Sequence, residues 1–390
     1  MTTVYISIGT PKTGTTSLQT FMRENEKLLE RQGFSYPLLD IGLKSIFRNR
    51  NGHFLVNYLI RNKLEENQTL QTELNEKGFK ELEKVAQKFD KIILSDEDLW
   101  YRCNYRENFW KEMVDNFTAI NCKVKIIVYL RRQDQLVQSL WNQQVKMFQR
   151  RSRPLQESIE NGAFNYFPMD YYKQLKKIEQ YVGKENMIVR PYEKSQFKGG
   201  SLYDDYFGLL GVQLTDEFTY GKVASNVGLD GNYIEIKKII NGVPEYREME
   251  DFMARPVLNA SIYENGKNEH VKVSLFTRDE QIEYMNQYEE SNRMVAAEYL
   301  GRKEQSLFLD DIEEMPVWKV NQEVMYRDIL ISMTEIFCKQ QREMEELRRQ
   351  VEADARMYQS IRQKNAMVDS VYNSLIFRVY RKIQGIFKRS

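Results

Sequence analysis

Gly9-Thr10-Pro11-Lys12-Thr13-Gly14-Thr15-Thr16-Ser17 joins a short apolar run, Val4–Ile8, to a stretch, Ser17–Gln32, whose Leu18, Phe21, Met22, Leu28 and Leu29 recur at helical spacing. The β-branched and aromatic run stops at Gly9 and reads as a buried strand. Strand, polar Gly/Thr loop and helix, in that order, open an α/β domain. The loop has the G-x-x-x-x-G-x-[ST] skeleton of a P-loop, in which backbone N–H groups and a helix N-terminus cradle phosphate oxygens. Its lysine is displaced. Thr15 directly follows Gly14, where a Walker loop carries Lys, and Lys12 stands in mid-loop instead. A Walker NTPase sets its lysine on the β- and γ-phosphates, with a Mg²⁺-binding hydroxyl behind it. One lysine at a different point, among several hydroxyls, predicts anion binding with a mobile cation reaching a transferring group, and no metal.

Three further apolar runs, Lys91–Ser95, Val124–Leu130 and Met187–Arg190, are separated by Lys/Glu-rich stretches of helical character such as Phe79–Phe89 and Tyr171–Tyr181. The alternation predicts a P-loop-like α/β fold, a mainly parallel sheet flanked by helices. Strand signals fade from about residue 217, where Ile234–Ile240, Arg278–Tyr299 and Trp318–Phe337 read as helices. From Phe337 a heptad-like stripe runs through Met344, Leu347, Val351, Tyr358, Ile361 and Val368. Gln340, Asp354 and Asn365 interrupt it, so a weak coiled coil or a single long surface helix fits better than a strong zipper. The organisation expected is an α/β domain over residues 1–310, a helical, coiled-coil-like extension over 311–368 and a basic amphipathic tail over 369–390.

A second feature lies at the run Val124–Leu130. Val128-Tyr129-Leu130 leads into Arg131, and Ser139 follows eight residues on, along the next helix. Arginine suits bidentate phosphate capture, and a nearby hydroxyl adds a neutral donor. On these two motifs the chain resembles sulfotransferases that use 3′-phosphoadenosine 5′-phosphosulfate (PAPS), most of all bacterial ones acting on carbohydrates and surface polysaccharides. Pro11–Gln19 matches that family's phosphosulfate loop throughout, and Arg131 with Ser139 matches its 3′-phosphate motif. Both stand at strand carboxyl ends, where open α/β sheets bind ligands. Gly33–Pro37, Ser95-Asp96-Glu97, Ile188–Glu193, Ser225–Leu229, Ser291-Asn292-Arg293, Val295-Ala296 and Glu298–Gly301 extend the resemblance over about residues 1–310. The R-K-G loop of the animal cytosolic enzymes is missing, with Lys222 a weak stand-in.

The resemblance implies PAPS as co-substrate, no metal, and transfer to a hydroxyl of a carbohydrate acceptor, free or lipid-linked. Pro11, Lys12, Thr13, Gly14, Thr15, Thr16 and Ser17 would surround the 5′-phosphosulfate, and Arg131 and Ser139 the 3′-phosphate. A general base is expected at the end of the strand before the 3′-phosphate strand, which gives Glu97 ahead of Asp96. His53, in NGHFLVN, is the other contender. Arg132 points toward Asp134. The basic run Lys146, Arg150, Arg151 and Arg153 reads as a solvated helix end or an anionic-glycan contact. Trp100, Tyr101, Tyr105 and Trp110 read as core or as sugar platforms.

Composition sets outer bounds. The 390 residues carry 57 Lys+Arg against 56 Asp+Glu, a formal charge of +1, which argues against a dedicated nucleic-acid binder. Hydrophobic residues at 42% suffice for a packed core, so wholesale disorder is excluded. Cys103, Cys122 and Cys338 form no disulfide framework or metal knuckle, and His53 and His270 are too few for a His-rich site. No signal peptide or membrane-spanning run is read, so a cytoplasmic setting is expected. After Asp369 no acidic residue follows, while Arg378, Arg381, Lys382, Lys388 and Arg389 are basic and Leu375, Ile376, Val379, Tyr380 and Ile383 recur at helical spacing. Such a tail can lie on an anionic membrane surface, or pack on the domain or on another chain in a homo-oligomer. Two other functions compete: a P-loop-type kinase or NTPase, and a non-enzymatic nucleotide-binding scaffold.

Overall fold

Thr2–Ser7 (β1), Phe34–Ser35 (β2), Lys91–Ser95 (β3), Cys122–Leu130 (β4) and Met187–Pro191 (β5) pair in parallel, in the order β2-β3-β1-β4-β5. The computed structural model describes residues 1–42, 49–146, 153–221, 229, 231–243, 256–262, 273–302 and 306–387. Flanking the sheet are Thr15–Glu24 (α1), Glu26–Arg31 (α2), Leu64–Ala86 (α3), Leu99–Arg102 (α4), Phe109–Ala119 (α5), Gln133–Lys146 (α6), Leu155–Glu160 (α7), Tyr171–Val182 (α8), Leu202–Leu210 (α9) and Asn232–Gly242 (α10). This is an α/β fold built on a parallel sheet, as the alternation of runs predicts.

Successive strand residues feed two cores. Val4, Ile6, Ile92, Leu94, Ile126 and Val128 join the larger one, with residues of α3, α5, α6 and α8. Ile93, Ile127 and Tyr129 join the smaller, with Leu18, Phe21 and Met22 of α1 and Tyr206, Phe207 and Leu210 of α9. A parallel sheet buried on both faces needs apolar side chains at nearly every position, which is why the runs are legible without alternation.

The sheet register sets the site. Ser7 stands opposite both Ser95 and Ile127, so β1 and β3 end level. Beyond β1 the ladder continues into the loop, with Ile8 N donating to Ile127 O and Thr10 N to Tyr129 O. The Gly9–Ser17 loop is thereby pinned to β4 just before Arg131. The connections leaving β1 and β4 run to opposite sides of the sheet, the place where open α/β sheets form a ligand crevice at their carboxyl end.

The structure differs from the expectations at element ends. The helix expected over Ser17–Gln32 is two, because buried Asn25 spends its side chain on Phe21 O (2.9 Å) and Thr219 O (2.8 Å), breaking the helix between them. Arg278–Tyr299 is likewise two helices, Arg278–Asn286 and Glu289–Leu300, the first opened by a Thr277–Glu280 capping box. A single helix of 66 residues, Gln322–Phe387, runs through the expected boundary at 368/369. No described helix is long and apolar enough to cross a membrane. Ser225–Gly228, Lys222, Arg150, Arg151 and His270 lie outside the described residues.

Candidate active site

The loop after β1 is held in shape by its own threonines. Thr10 Oγ1 donates to Tyr129 O (3.0 Å) and Thr13 Oγ1 to Thr10 O (2.6 Å), both buried. Those hydroxyls therefore brace the loop, while Thr15, Thr16 and Ser17 open α1. Lys12 (φ 69°) and Gly14 (φ 74°) both take the left-handed conformation. Gly14 must lack a side chain, since a Cβ there would meet Leu202 Cδ2 at 2.5 Å on a backbone that L-residues rarely adopt. No side chain caps α1 at Gly14, so the leading N–H groups and the positive end of the helix dipole are left for an anion.

Basic side chains gather around this helix start. Arg131 Nη1 donates to Lys12 O (2.9 Å), and its Nε is buried without a hydrogen-bond partner. Burial pushes the Lys12 ammonium below its usual pKa, and the cations Lys146 and Arg131 push the same way against an opposing pull from Glu97. Burial likewise lowers Arg131 and Lys146. Among the described residues neither Lys12 nor Arg131 makes an ion pair. Ser139 is half-buried on α6, the helix whose Leu140, Gln143 and Gln144 flank the same cleft.

Across that cleft, which holds about 280 Å³ and opens to solvent, stands the end of β3 with Glu97 and Asp98. Asp96 lies beneath them, fully buried. Arg50 grips it with two bonds, Nε to Oδ2 (2.9 Å) and Nη2 to Oδ1 (2.8 Å), and His53 Nδ1 lies 2.8 Å from Oδ2. Burial would raise the Asp96 pKa, but Arg50 and His53 together hold it well below the carboxylate range. Arg50 also reaches Asp98 (3.0 Å), which pairs again with Arg102 (3.1 Å). Glu97 accepts from Gln19 Nε2 (3.0 Å), a side chain that also donates to Ser95 Oγ (3.2 Å) and so ties α1 to the end of β3. Burial raises the Glu97 pKa; Arg50 opposes this, while Asp96 and Asp98 add to it.

The expected residues thus divide. Pro11, Lys12, Thr15, Thr16 and Glu97 line one cleft. His53 does not: it is 1% exposed in a 3₁₀ turn and abuts Asp96 rather than the cleft wall. His53, Asp96 and Asp98 offer donor atoms within 4.8 Å of one another, but the Arg50 guanidinium already spans the two carboxylates. Trp100 and Trp110 are core, Tyr101 lines the cleft, and Arg132 pairs with Asp134 as expected (2.8 Å). Arg153 is exposed and pairs with Glu157 (3.3 Å).

The sequence assigns no role to Arg50, and it shows Gln19 only as the end of the loop motif, not as the partner of Glu97. Three consecutive acids at the end of a buried strand, Asp96-Glu97-Asp98, demand a cation and a donor, and that demand was the available signal. Arg50 is delivered by Asn51, whose amide bonds Ile93 O (2.9 Å) and Ser95 N (2.9 Å).

No family model matches the chain. An uncharacterized protein of Archaeoglobus fulgidus is 28% identical over 193 residues, 49% of this chain, and the chain spans 50% of that protein's length. A crystal structure of a sulfotransferase from Alicyclobacillus acidocaldarius aligns with 65% of this chain and 92% of its own, at 14% identity and a TM-score of 0.33.

Proposed function

We propose that this chain is a sulfotransferase that moves a sulfuryl group from PAPS to a hydroxyl of a carbohydrate. One observation carries the reading: Lys12 and Arg131, joined through Lys12 O and without acidic partners among the described residues, stand at an uncapped helix start, and Glu97 faces Lys12 across one cleft. Half-buried cations without acidic partners carry a desolvation cost, so their persistence beside a buried, orphaned Arg131 Nε fits a site completed by an anionic ligand. PAPS, when bound, supplies an activated sulfuryl group on a phosphate leaving group.

Each residue then has a defined task. The backbone N–H groups of the first turn of α1, with Thr15, Thr16 and Ser17, hold the 5′-phosphate. Arg131 and Ser139 hold the 3′-phosphate. Lys12 stabilises negative charge building at the transfer point, a preorganised electrostatic effect. Glu97, with its pKa raised and Gln19 fixing one oxygen, takes the acceptor proton. Tyr101 and Tyr166, beside Gln143 and Gln144, give the wall apolar faces and amides together, a lining that suits a sugar. The products are a sulfate ester and 3′,5′-ADP.

A kinase would need a lysine after Gly14, where Thr15 stands, and a strand-end acid for Mg²⁺. Asp96 holds that place and is taken by Arg50 and His53. The test is transfer of ³⁵S from labelled PAPS to host surface polysaccharides and their lipid-linked precursors, alongside melting with 3′,5′-ADP. Ligand at 100 Kd stabilises the native state by about 2.7 kcal/mol. Equal stabilisation by ATP–Mg²⁺ favours the kinase; labelled product on none of the glycans, with no shift by 3′,5′-ADP, overturns the proposal.

A further inference from the structure

The Gln322–Phe387 helix leaves the domain with an apolar stripe that none of the described residues covers. Its first turns dock: Asp328 and Ser332 are buried, and Asn232 Nδ2 bonds Asp328 Oδ2 (2.8 Å) and Asn321 O (2.9 Å). From residue 341 onward every described side chain is exposed. At 1.5 Å per residue that free length is about 70 Å. Helices draw most of their stability from packing an apolar face, so a solvent-borne helix of this length needs a partner along its stripe.

The stripe keeps a strict frame. Phe337, Met344, Val351, Tyr358 and Asn365 recur every seven residues, and Leu347, Ile361, Val368 and Leu375 recur with the same period three residues after that series. These are the a and d positions of a heptad, and Leu330, Met333 and Val379 continue the same frame at both ends. The apolar members stand open, Phe337 at 60%, Val351 at 67% and Tyr358 at 70% exposure. A repeat of 3.5 residues makes the narrow seam of a left-handed supercoil rather than the broad apolar face of a membrane-lying helix.

We propose that residues 330–379 form a parallel, in-register, two-stranded coiled coil with a second copy of this chain. The flanking charges choose that arrangement. Glu343 at g faces Arg348 at e of the partner helix, and Lys364 at g faces Asp369 at e, so two heptad junctions each bring opposite charges together. Antiparallel pairing sets g against g and e against e and loses both. Asn365 is a lone amide at an a position, where a facing copy of itself satisfies it and fixes strand number and register at some cost in stability. Gln340 and Asp354, both at d, are further costs, and each Asp354 meets the like charge of its own copy. Acidic and basic residues are mixed along this stretch, which disfavours an anionic membrane as the occupant. The basic residues beyond Asp369 then emerge side by side at one end of the dimer, with the two domains at the other.

Sedimentation equilibrium of the full chain at micromolar concentration should return twice the 46.6 kDa monomer mass. The pair Leu347→Asp and Ile361→Asp lies wholly on the exposed helix. It should weaken dimerisation by at least on the order of 100-fold and leave melting of the domain unchanged. Asp354→Leu should do the opposite and raise the dimer's dissociation temperature. In a Cys338→Ser background, Asn365→Cys should oxidise to a disulfide-linked dimer, because parallel register brings position 365 against itself. A monomeric parent chain overturns the proposal, as does a monomer that binds phosphatidylserine vesicles through the Leu347/Ile361 face. A dimer that fails to cross-link through residue 365 overturns the parallel register.

Discussion

Lys12 holds a left-handed backbone and a lowered pKa at the same place. A non-glycine residue in that conformation costs on the order of 1–3 kcal/mol and persists where the surroundings impose it; here the Thr10 and Thr13 bonds do so. Lys12→Gly should therefore melt at or above the parent temperature yet lose transfer, a split that an ordinary loop lysine would not produce. Lys12→Ala should lower kcat by about 10²–10³. Glu97 makes the complementary case on the other wall. Its pKa is raised and a base works deprotonated, so kcat/KM should climb with pH through a value above the ordinary glutamate one. Glu97→Gln keeps the shape, should cost about 10²–10⁴ in turnover, and should erase that limb of the pH profile. His53→Ala should be milder, since His53 acts on Asp96 beneath the cleft. The reverse ranking would move the base role to His53.

At the scale of elements, the end of β3 is assembled from three segments. Arg50 reaches Asp96 across 46 positions and Gln19 reaches Ser95 across 76. Removing one partner of a buried ion pair costs about 3–5 kcal/mol, so Arg50→Ala should destabilise the domain by that order. The pH dependence has a definite sign. Asp96 is depressed in the folded state, so its stabilisation is present above the unfolded aspartate pKa of about 3.9 and is lost as pH falls through the folded value. Without Arg50 the Asp96 carboxyl protonates more readily, so urea midpoints of variant and parent should differ most near neutrality and converge in acid. An equal gap at both ends would reject the ion-pair account. The same distances explain what was readable in advance. β1, β3, β4 and β5 announce themselves as apolar runs, and Lys12, Thr15, Thr16 and Glu97 sit at their ends. β2, only Phe34–Ser35, is too short to show a period, and its register comes from Ile92 of β3. The helix break at Asn25 depends on Thr219, and the Asp96 cage depends on Arg50, so neither could be seen locally.

At the scale of the whole molecule, the candidate cleft and a cluster of basic residues belong to opposite ends of one chain. The cleft lies at the carboxyl edge of the sheet, and the Gln322–Phe387 helix carries the basic residues Arg378, Arg381 and Lys382 away from it. Near an anionic surface each Lys or Arg contributes about 1 kcal/mol, screened within a Debye length of roughly 8–10 Å at moderate salt. Two tails held side by side present twice that charge, with Ile376 and Tyr380 outside the seam and exposed among them. Removing residues 369–390 should therefore abolish flotation of the full chain with phosphatidylserine-containing liposomes at low salt. Most of the seam is retained, so the truncated chain should stay dimeric and should melt with 3′,5′-ADP as the parent does. Raising the salt should weaken flotation of the parent toward that of the truncated form, because the attraction is chiefly electrostatic. Flotation that survives truncation would detach the tail from any membrane role and leave the heptad seam as the purpose of the helix.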